Sequence, residues 1–163
     1  MKRGVSLADL RLLGAAALLA TASGAAAQQA RITALTDVSF GTISNFTTDL
    51  TLTQNVCVYS TATSGRYRVT ATGSGTSSAF TLASGTNRLA YEVQWADAIN
   101  QTTGDALTAG VALTQQNTSA TSSNCAAAPT RTATLITILR TSAIGAAKAG
   151  TYTGTLTLLI APN

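Results

Sequence analysis

The sequence predicts an all-β fold, an antiparallel β-sandwich, and three observations lead there. Seven or eight short stretches with alternating apolar and polar residues recur at regular spacing, helical periodicity is almost absent, and threonine and valine are abundant. Two stacked sheets, each with one apolar face, are the architecture this pattern suits.

Arg31 to Phe40 reads as the first strand, with Ile32, Ala34, Val38 and Phe40 on one parity, Thr36 as its polar member, and Gly41 as the break. Phe46 to Tyr59 reads as the second. Leu50, Leu52, Val56 and Val58 share one face, Thr51, Thr53, Asn55 and Cys57 the other, and a bulge would let Cys57 sit on either. After a turn at Gly65, Arg66 to Thr72 aligns Tyr67, Val69 and Ala71, and Gly73 to Ser78 continues as a flexible loop. A short strand over Ala79 to Ala83 precedes the clearest alternation in the middle of the chain. There Leu89, Tyr91, Val93 and Trp95 face one way, which places the single tryptophan in the core.

Asp97 to Asp105 reads as loop, Leu107 to Thr114 as a weaker strand through Leu107, Val111 and Leu113, and Gln115 to Pro129 as a long loop pinned by Cys125. Thr132 to Arg140 has apolar residues on both parities, as a strand buried on both faces does. Ser142 to Ala149 is a helical turn or a loop. In the last strand Tyr152, Leu156, Leu158 and Ile160 share one parity against Thr151, Thr153, Thr155 and Thr157. Its edge is either paired within its own sheet or open, and an open apolar edge invites a strand from another chain.

Lys2, Arg3 and Arg11, the apolar run Leu12 to Ala22 and the small residues Gly24 to Ala27 describe a secretory signal peptide over residues 1–27, too short in its apolar part for a membrane span. Residues 28–163 then form one domain of 136 residues, expected in the periplasm and then at the cell surface or secreted, without stable membrane insertion. That part keeps seven cations and five anions, a net charge of +2, scattered singly along the chain. A nucleic-acid surface would cluster them, so no nucleic-acid partner is expected. Cys57 and Cys125, an even pair in an oxidising compartment, read as one disulfide across 68 positions. With no histidine and no second thiol pair, a metal site would have to be assembled from scattered carboxylates, so neither metal nor cofactor is expected.

The absence of histidine also removes the common nucleophile arrangements and leaves a glycosidase-like carboxylate pair, Glu92 with Asp97, as the remaining catalytic option. Glu92 lies opposite the apolar face and Asp97 opens a loop, so an enzyme is not expected. Gly73-Ser74-Gly75 lacks the third glycine and following helix of a phosphate cradle. The sequons at Asn45, Asn100 and Asn117 are expected by chance in so threonine-rich a chain.

Taken together, Asp37-Val38-Ser39-Phe40-Gly41, Val56-Cys57-Val58, Tyr67-Arg68-Val69, Leu89-Ala90-Tyr91-Glu92-Val93 and Gly150-Thr151-Tyr152-Thr153-Gly154-Thr155-Leu156 resemble the spore coat U domain family, itself similar to subunits of archaic chaperone–usher pili. The resemblance spans nearly all of residues 28–163. It implies an immunoglobulin-like sandwich, an incomplete pilin fold lacking its last strand, held by a periplasmic chaperone, assembled at an outer-membrane usher and completed by a neighbouring subunit's N-terminal segment. Tyr152, Leu156, Leu158 and Ile160 would then be the edge that accepts the donor strand. Two features depart from the family's pattern. Its cysteine in or near the first strand is not found here, the partner of Cys57 lying far downstream, and only Gln28, Gln29 and Ala30 precede the first strand. Either the chain accepts a strand without giving one, as a tip subunit would, or Ile32, Ala34, Val38 and Phe40 are themselves a donor face.

Two functions of different class follow. One is a structural or assembly subunit of a surface pilus or spore-coat-like fibre. The other is a secreted tip adhesin or glycan-binding module that uses the loops Gly73 to Ser78 and Gln115 to Asn124.

Overall fold

A computed structural model describes residues 27–163, so the leader expected over residues 1–27 lies, but for Ala27, outside the described residues. The chain is all-β and antiparallel. Its strands are β1 (Ala30–Thr33), β2 (Leu50–Ser60), β3 (Arg66–Gly73), β4 (Thr81–Ser84), β5 (Asn87–Ala90), β6 (Glu92–Ala96), β7 (Asp105–Ala106), β8 (Ala112–Asn117), β9 (Ala133–Leu139) and β10 (Leu156–Pro162). Among the described residues one short α-helix, α1 (Thr141–Ala146), lies between the last two strands. Five strands form one sheet in the order β1-β2-β9-β6-β7, three form the facing sheet in the order β10-β3-β8, and β4 and β5 form a separate hairpin.

Inward side chains of both sheets make one core. Val56 and Val58 from β2, Val93 and Trp95 from β6 and Ala133 and Leu135 from β9 meet Tyr67, Val69 and Ala71 from β3. The sheets are fastened across that core, because the Trp95 indole N–H donates to the Tyr67 hydroxyl at 3.0 Å and the two rings meet edge to face at 6.4 Å. Burial pushes the Tyr67 hydroxyl pKa well above its usual value, so the acceptor stays neutral. In β9 every residue is buried, as its two apolar parities predict. Ala133, Leu135 and Leu139 face the core, while Ile136 on the other face lies between Thr53 of β2 and Gln94 of β6.

Several expectations need correction. The first strand ends at Thr33, because Ala34 takes a left-handed φ of 65° and turns the chain off its line. Ala34, Val38 and Phe40 are therefore not on a strand. The second strand starts at Leu50 rather than Phe46. The Asn45 carboxamide oxygen accepts from the Thr47 N–H at 2.8 Å and holds a local turn there, and Phe46 is exposed. No bulge is needed at Cys57, since the registers with β1 and β9 run without a shift; Cys57 faces away from Val56 and Val58 and is covered by the loop that carries Cys125.

The run Leu89 to Trp95 keeps all four apolar residues buried but changes sheets at Tyr91, with Leu89 opposite Leu82 in the hairpin and Val93 and Trp95 on β6. Leu107 is buried as expected. Val111 is exposed, because Gly110 (φ 77°) and the bond from Val111 N–H to the Thr108 carbonyl make a turn there. The strand begins at Ala112 and continues to Asn117, into the stretch read as loop. The final strand begins at Leu156, so Tyr152 lies outside it.

Candidate functional site

The strand β10 pairs antiparallel with β3, from Leu156 opposite Gly73 to Pro162 opposite Tyr67, and it is the last strand of its sheet. In an antiparallel pair, alternate residues direct both N–H and C=O toward the partner, and the residues between direct theirs away. The Asn163 N–H donates to the Arg66 carbonyl, which sets the odd-numbered residues of β10 toward β3. The main-chain groups of Leu156, Leu158 and Ile160 therefore face outward, and among the described residues no strand pairs with them.

Those three residues also turn their side chains inward. All are only partly buried against the core, whereas Val69 and Ala71 on the neighbouring strand are 0% exposed. The difference has a visible cause. An apolar groove of about 1250 Å³ runs beside β10, floored by Leu89, Tyr91, Leu135 and Leu139, with Leu156 and Leu158 on one wall and Leu35 to Ile43 and Phe46 on the other. The outward donors and acceptors of Leu156 and Leu158 thus stand along the rim of a trough that their own side chains line, and Ile160 continues the edge beyond it; strand addition at such an edge gains main-chain hydrogen bonds and side-chain burial together.

Two elements hold the trough in shape. The guanidinium of Arg140, directly after β9, pairs with Asp49 at 2.8 Å and Glu92 at 2.5 Å, and the other Asp49 oxygen accepts from the Thr141 N–H at 2.8 Å. This fixes α1, whose buried Ile144 lines the groove. The Thr141 N–H and then the Arg140 guanidinium hold the Asp49 carboxyl below its ordinary range, and Arg140 does the same for Glu92. The hairpin β4–β5 forms the other support. Leu82 lines the groove, Ala83 bridges Thr153, and Phe80 packs on Tyr91 with ring centroids 5.8 Å apart.

Of the residues expected at an acceptor edge, Leu156, Leu158 and Ile160 lie on β10. Tyr152 instead lies in the groove wall, half-buried, with its hydroxyl donating to the Lys148 carbonyl at 2.9 Å. Ile32 pairs with Val58 on β1, while Ala34, Val38 and Phe40 belong to the irregular stretch across the groove. Cys57 and Cys125 are joined in a disulfide, with Cα atoms 6.3 Å apart. Glu92 opens β6 and Asp97 follows its last residue, about 17 Å apart along the strand direction, and they do not form a catalytic pair. Among the described residues no group of three His, Cys, Asp or Glu side chains could hold a metal.

The loops Gly73 to Ser78 and Gln115 to Asn124 do not converge either. Asn117 pairs with Arg66 at one end of β3 and Gly73 lies at the other, about 23 Å away. Sequence reasoning missed the groove floor because Leu89, Leu135 and Leu139 have the same alternation as any core residue. It also missed Gln54, although the sequence carries its signal, a polar residue interrupting the inward series Leu50, Leu52, Val56 and Val58.

No protein-family model matches the chain, and no curated protein matches it. Among solved structures it is similar to a chain from one described as "Chaperone-tip adhesin complex is vital for synergistic activation of CFA/I fimbriae biogenesis", at 15% sequence identity over 82% of this chain and a TM-score of 0.49. The match takes in 42% of that chain, so this chain spans less than half of its length. A likeness of that degree carries no argument about function, which rests on the groove and the strand edges.

Proposed function

We infer that the chain is a structural or assembly subunit of a surface pilus or coat-like fibre, which takes an extended segment of another chain along β10 by donor-strand complementation. One observation carries the reading: the main-chain groups of Leu156, Leu158 and Ile160 point out of the sheet, beside a groove that the side chains of Leu156 and Leu158 line. Burying a trough of that kind against a strand with alternating apolar residues satisfies both the exposed ladder and the half-buried leucines. In the pathway this implies, a periplasmic chaperone occupies the groove first, an outer-membrane usher mediates exchange, and a neighbouring pilin-like subunit replaces the chaperone. The chain itself is exported, non-catalytic and free of cofactors. The groove favours this reading over a glycan-binding module, because the two loops that module would use lie at opposite ends of β3.

The test is thermal unfolding of residues 28–163 with a synthetic ten-residue peptide of alternating apolar and polar residues. A control peptide of the same sequence carries N-methyl groups on the amides that would face β10. At a peptide concentration of about 100 Kd, linkage adds about 2.7 kcal/mol, which raises Tm by about 9 °C for a domain of this size. The N-methylated peptide should have little effect. Equal stabilisation by both peptides, or by neither, overturns the reading, and binding to a glycan array that survives mutation of β10 would favour the adhesin.

A further inference from the structure

A second unpaired edge lies across the groove from β10. Strand β1 covers only Cys57 to Ser60 of β2, while Leu50 to Val56 pair with β9 on one side alone. The direction of the free groups follows from the registers. The Thr61 N–H donates to the Gln29 carbonyl, and the Thr132 N–H donates to the Val56 carbonyl on the β9 side. The odd-numbered residues of β2 therefore face β1, and below Cys57 the main-chain groups of Thr51, Thr53 and Asn55 face outward, where the described residues offer them no strand.

The stretch from Ala34 to Phe40 runs beside this edge without pairing to it. A crevice of about 310 Å³ lies between Thr36 to Ser39 and Leu52 to Gln54. Its one polar tether is the Gln54 side chain, whose Nε2 donates to the Thr36 carbonyl at 3.1 Å and to the Thr36 hydroxyl, leaving Gln54 Oε1 buried without a hydrogen-bond partner. The tether also marks a register. Ala30 pairs with Ser60 and Thr33 with Cys57, and continuing that ladder sets Ala34 opposite Val56, Thr36 opposite Gln54, Val38 opposite Leu52 and Phe40 opposite Leu50. The Gln54–Thr36 bond therefore joins two residues that the continued ladder sets opposite each other. The alternation of Ile32, Ala34, Val38 and Phe40 matches the inward series on β2, so zipping would turn the exposed Val38 toward the core, against which Phe40 already packs.

We propose that Ala34 to Phe40 is a two-position strap: lying across the groove as observed, or zipped onto Thr51 to Asn55 as a continuation of β1. The left-handed Ala34 is the hinge, the one residue of Ala34 to Phe40 whose φ is positive and must change sign for the strand to continue. Zipping satisfies the outward groups of Thr51, Thr53 and Asn55 and withdraws the strap from the trough beside β10. Its bearing on strand uptake rests on the proposed function; the zipping itself does not.

The experiment measures amide hydrogen exchange by NMR on residues 28–163 in wild type, Ala34→Pro and Ala34→Gly. Proline cannot adopt the left-handed φ, and at this position its missing N–H would point away from β2, so it favours the zipped strap. Glycine tolerates the hinge as found. Ala34→Pro should slow exchange at Thr51, Thr53 and Asn55 at least tenfold, with Ala34→Gly unchanged or faster; a folded Ala34→Pro protein with unchanged exchange there overturns the proposal. If Ala34→Pro does not fold, cysteine pairs read the register directly. Val38→Cys with Leu52→Cys should crosslink under mild oxidation and Val38→Cys with Leu50→Cys should not, while equal yields from the two pairs refute the register. Exchange at Leu156, Leu158 and Ile160 on addition of the ten-residue peptide reports the strand-acceptor reading separately, so either idea can fail alone.

Discussion

Leu158→Ala separates a strand-accepting edge from an ordinary core strand. Leu158 sits in the middle of β10 opposite Ala71, faces the groove and is partly buried. Removing a fully buried leucine or isoleucine costs about 2–5 kcal/mol, and a half-buried one forfeits only part of that, about 1–2 kcal/mol in the isolated subunit. The exposed half of the side chain has its effect only when a strand lies against it. Burying that half is worth about 1–1.5 kcal/mol, so the variant should bind the ten-residue peptide about tenfold more weakly. Ile136→Ala is the contrast, because Ile136 is 0% exposed and lies outside the groove: it should lose about 2–5 kcal/mol of stability with peptide affinity unchanged. Urea unfolding and calorimetric titration of both variants supply the four numbers. If Leu158→Ala binds peptide within twofold of wild type, or Ile136→Ala weakens binding as much, the groove is not where the strand goes.

Three further outcomes are expected. Replacing both Cys57 and Cys125 by alanine releases a loop of 68 positions and should cost about 4 kcal/mol by chain entropy, read as a fall in the urea midpoint that reductant reproduces in wild type. Asp49 and Glu92 have depressed folded-state pKa values, so the stability they add is complete above the ordinary carboxylate range and is lost as pH falls through their folded values. Below about pH 4 the exchange protection of the α1 amides should therefore fall from its value at pH 7 by more than that of β9, and an Arg140→Gln variant should keep only the part of that acid dependence owed to the Thr141–Asp49 bond. Tyr67→Phe leaves the buried Trp95 N–H without its acceptor and should cost about 1–3 kcal/mol by urea unfolding.

The sandwich was legible in the sequence wherever a strand has one wet and one dry face. Tyr67, Val69 and Ala71, then Val93 and Trp95, are buried as their alternation predicts, and the doubled parity of Thr132 to Arg140 marks the strand buried on both sides. Periodicity failed where a backbone angle decides. Ile32 to Phe40 has the pattern of one continuous strand, yet a single left-handed alanine ends it, and nothing in the side chain of Ala34 announces that. It failed again at Val111, where a turn places an apolar residue in solvent. The candidate site was half legible. The inward parity of Leu156, Leu158 and Ile160 can be read from the chain, but how completely those residues are covered depends on whether a neighbouring strand stands beside them, which is a property of the sheet and not of local sequence.

The residue that closes β10 has a consequence of its own. By parity Pro162 stands where a fourth outward amide would follow those of Leu156, Leu158 and Ile160, and proline carries no hydrogen there to donate. The outward row accordingly has three rungs and a stop. Under the proposed function its finite length would set how far a guest backbone could be clamped, and it denies identical molecules the long, uniform border along which exposed sheets stack into amorphous or fibrillar precipitate.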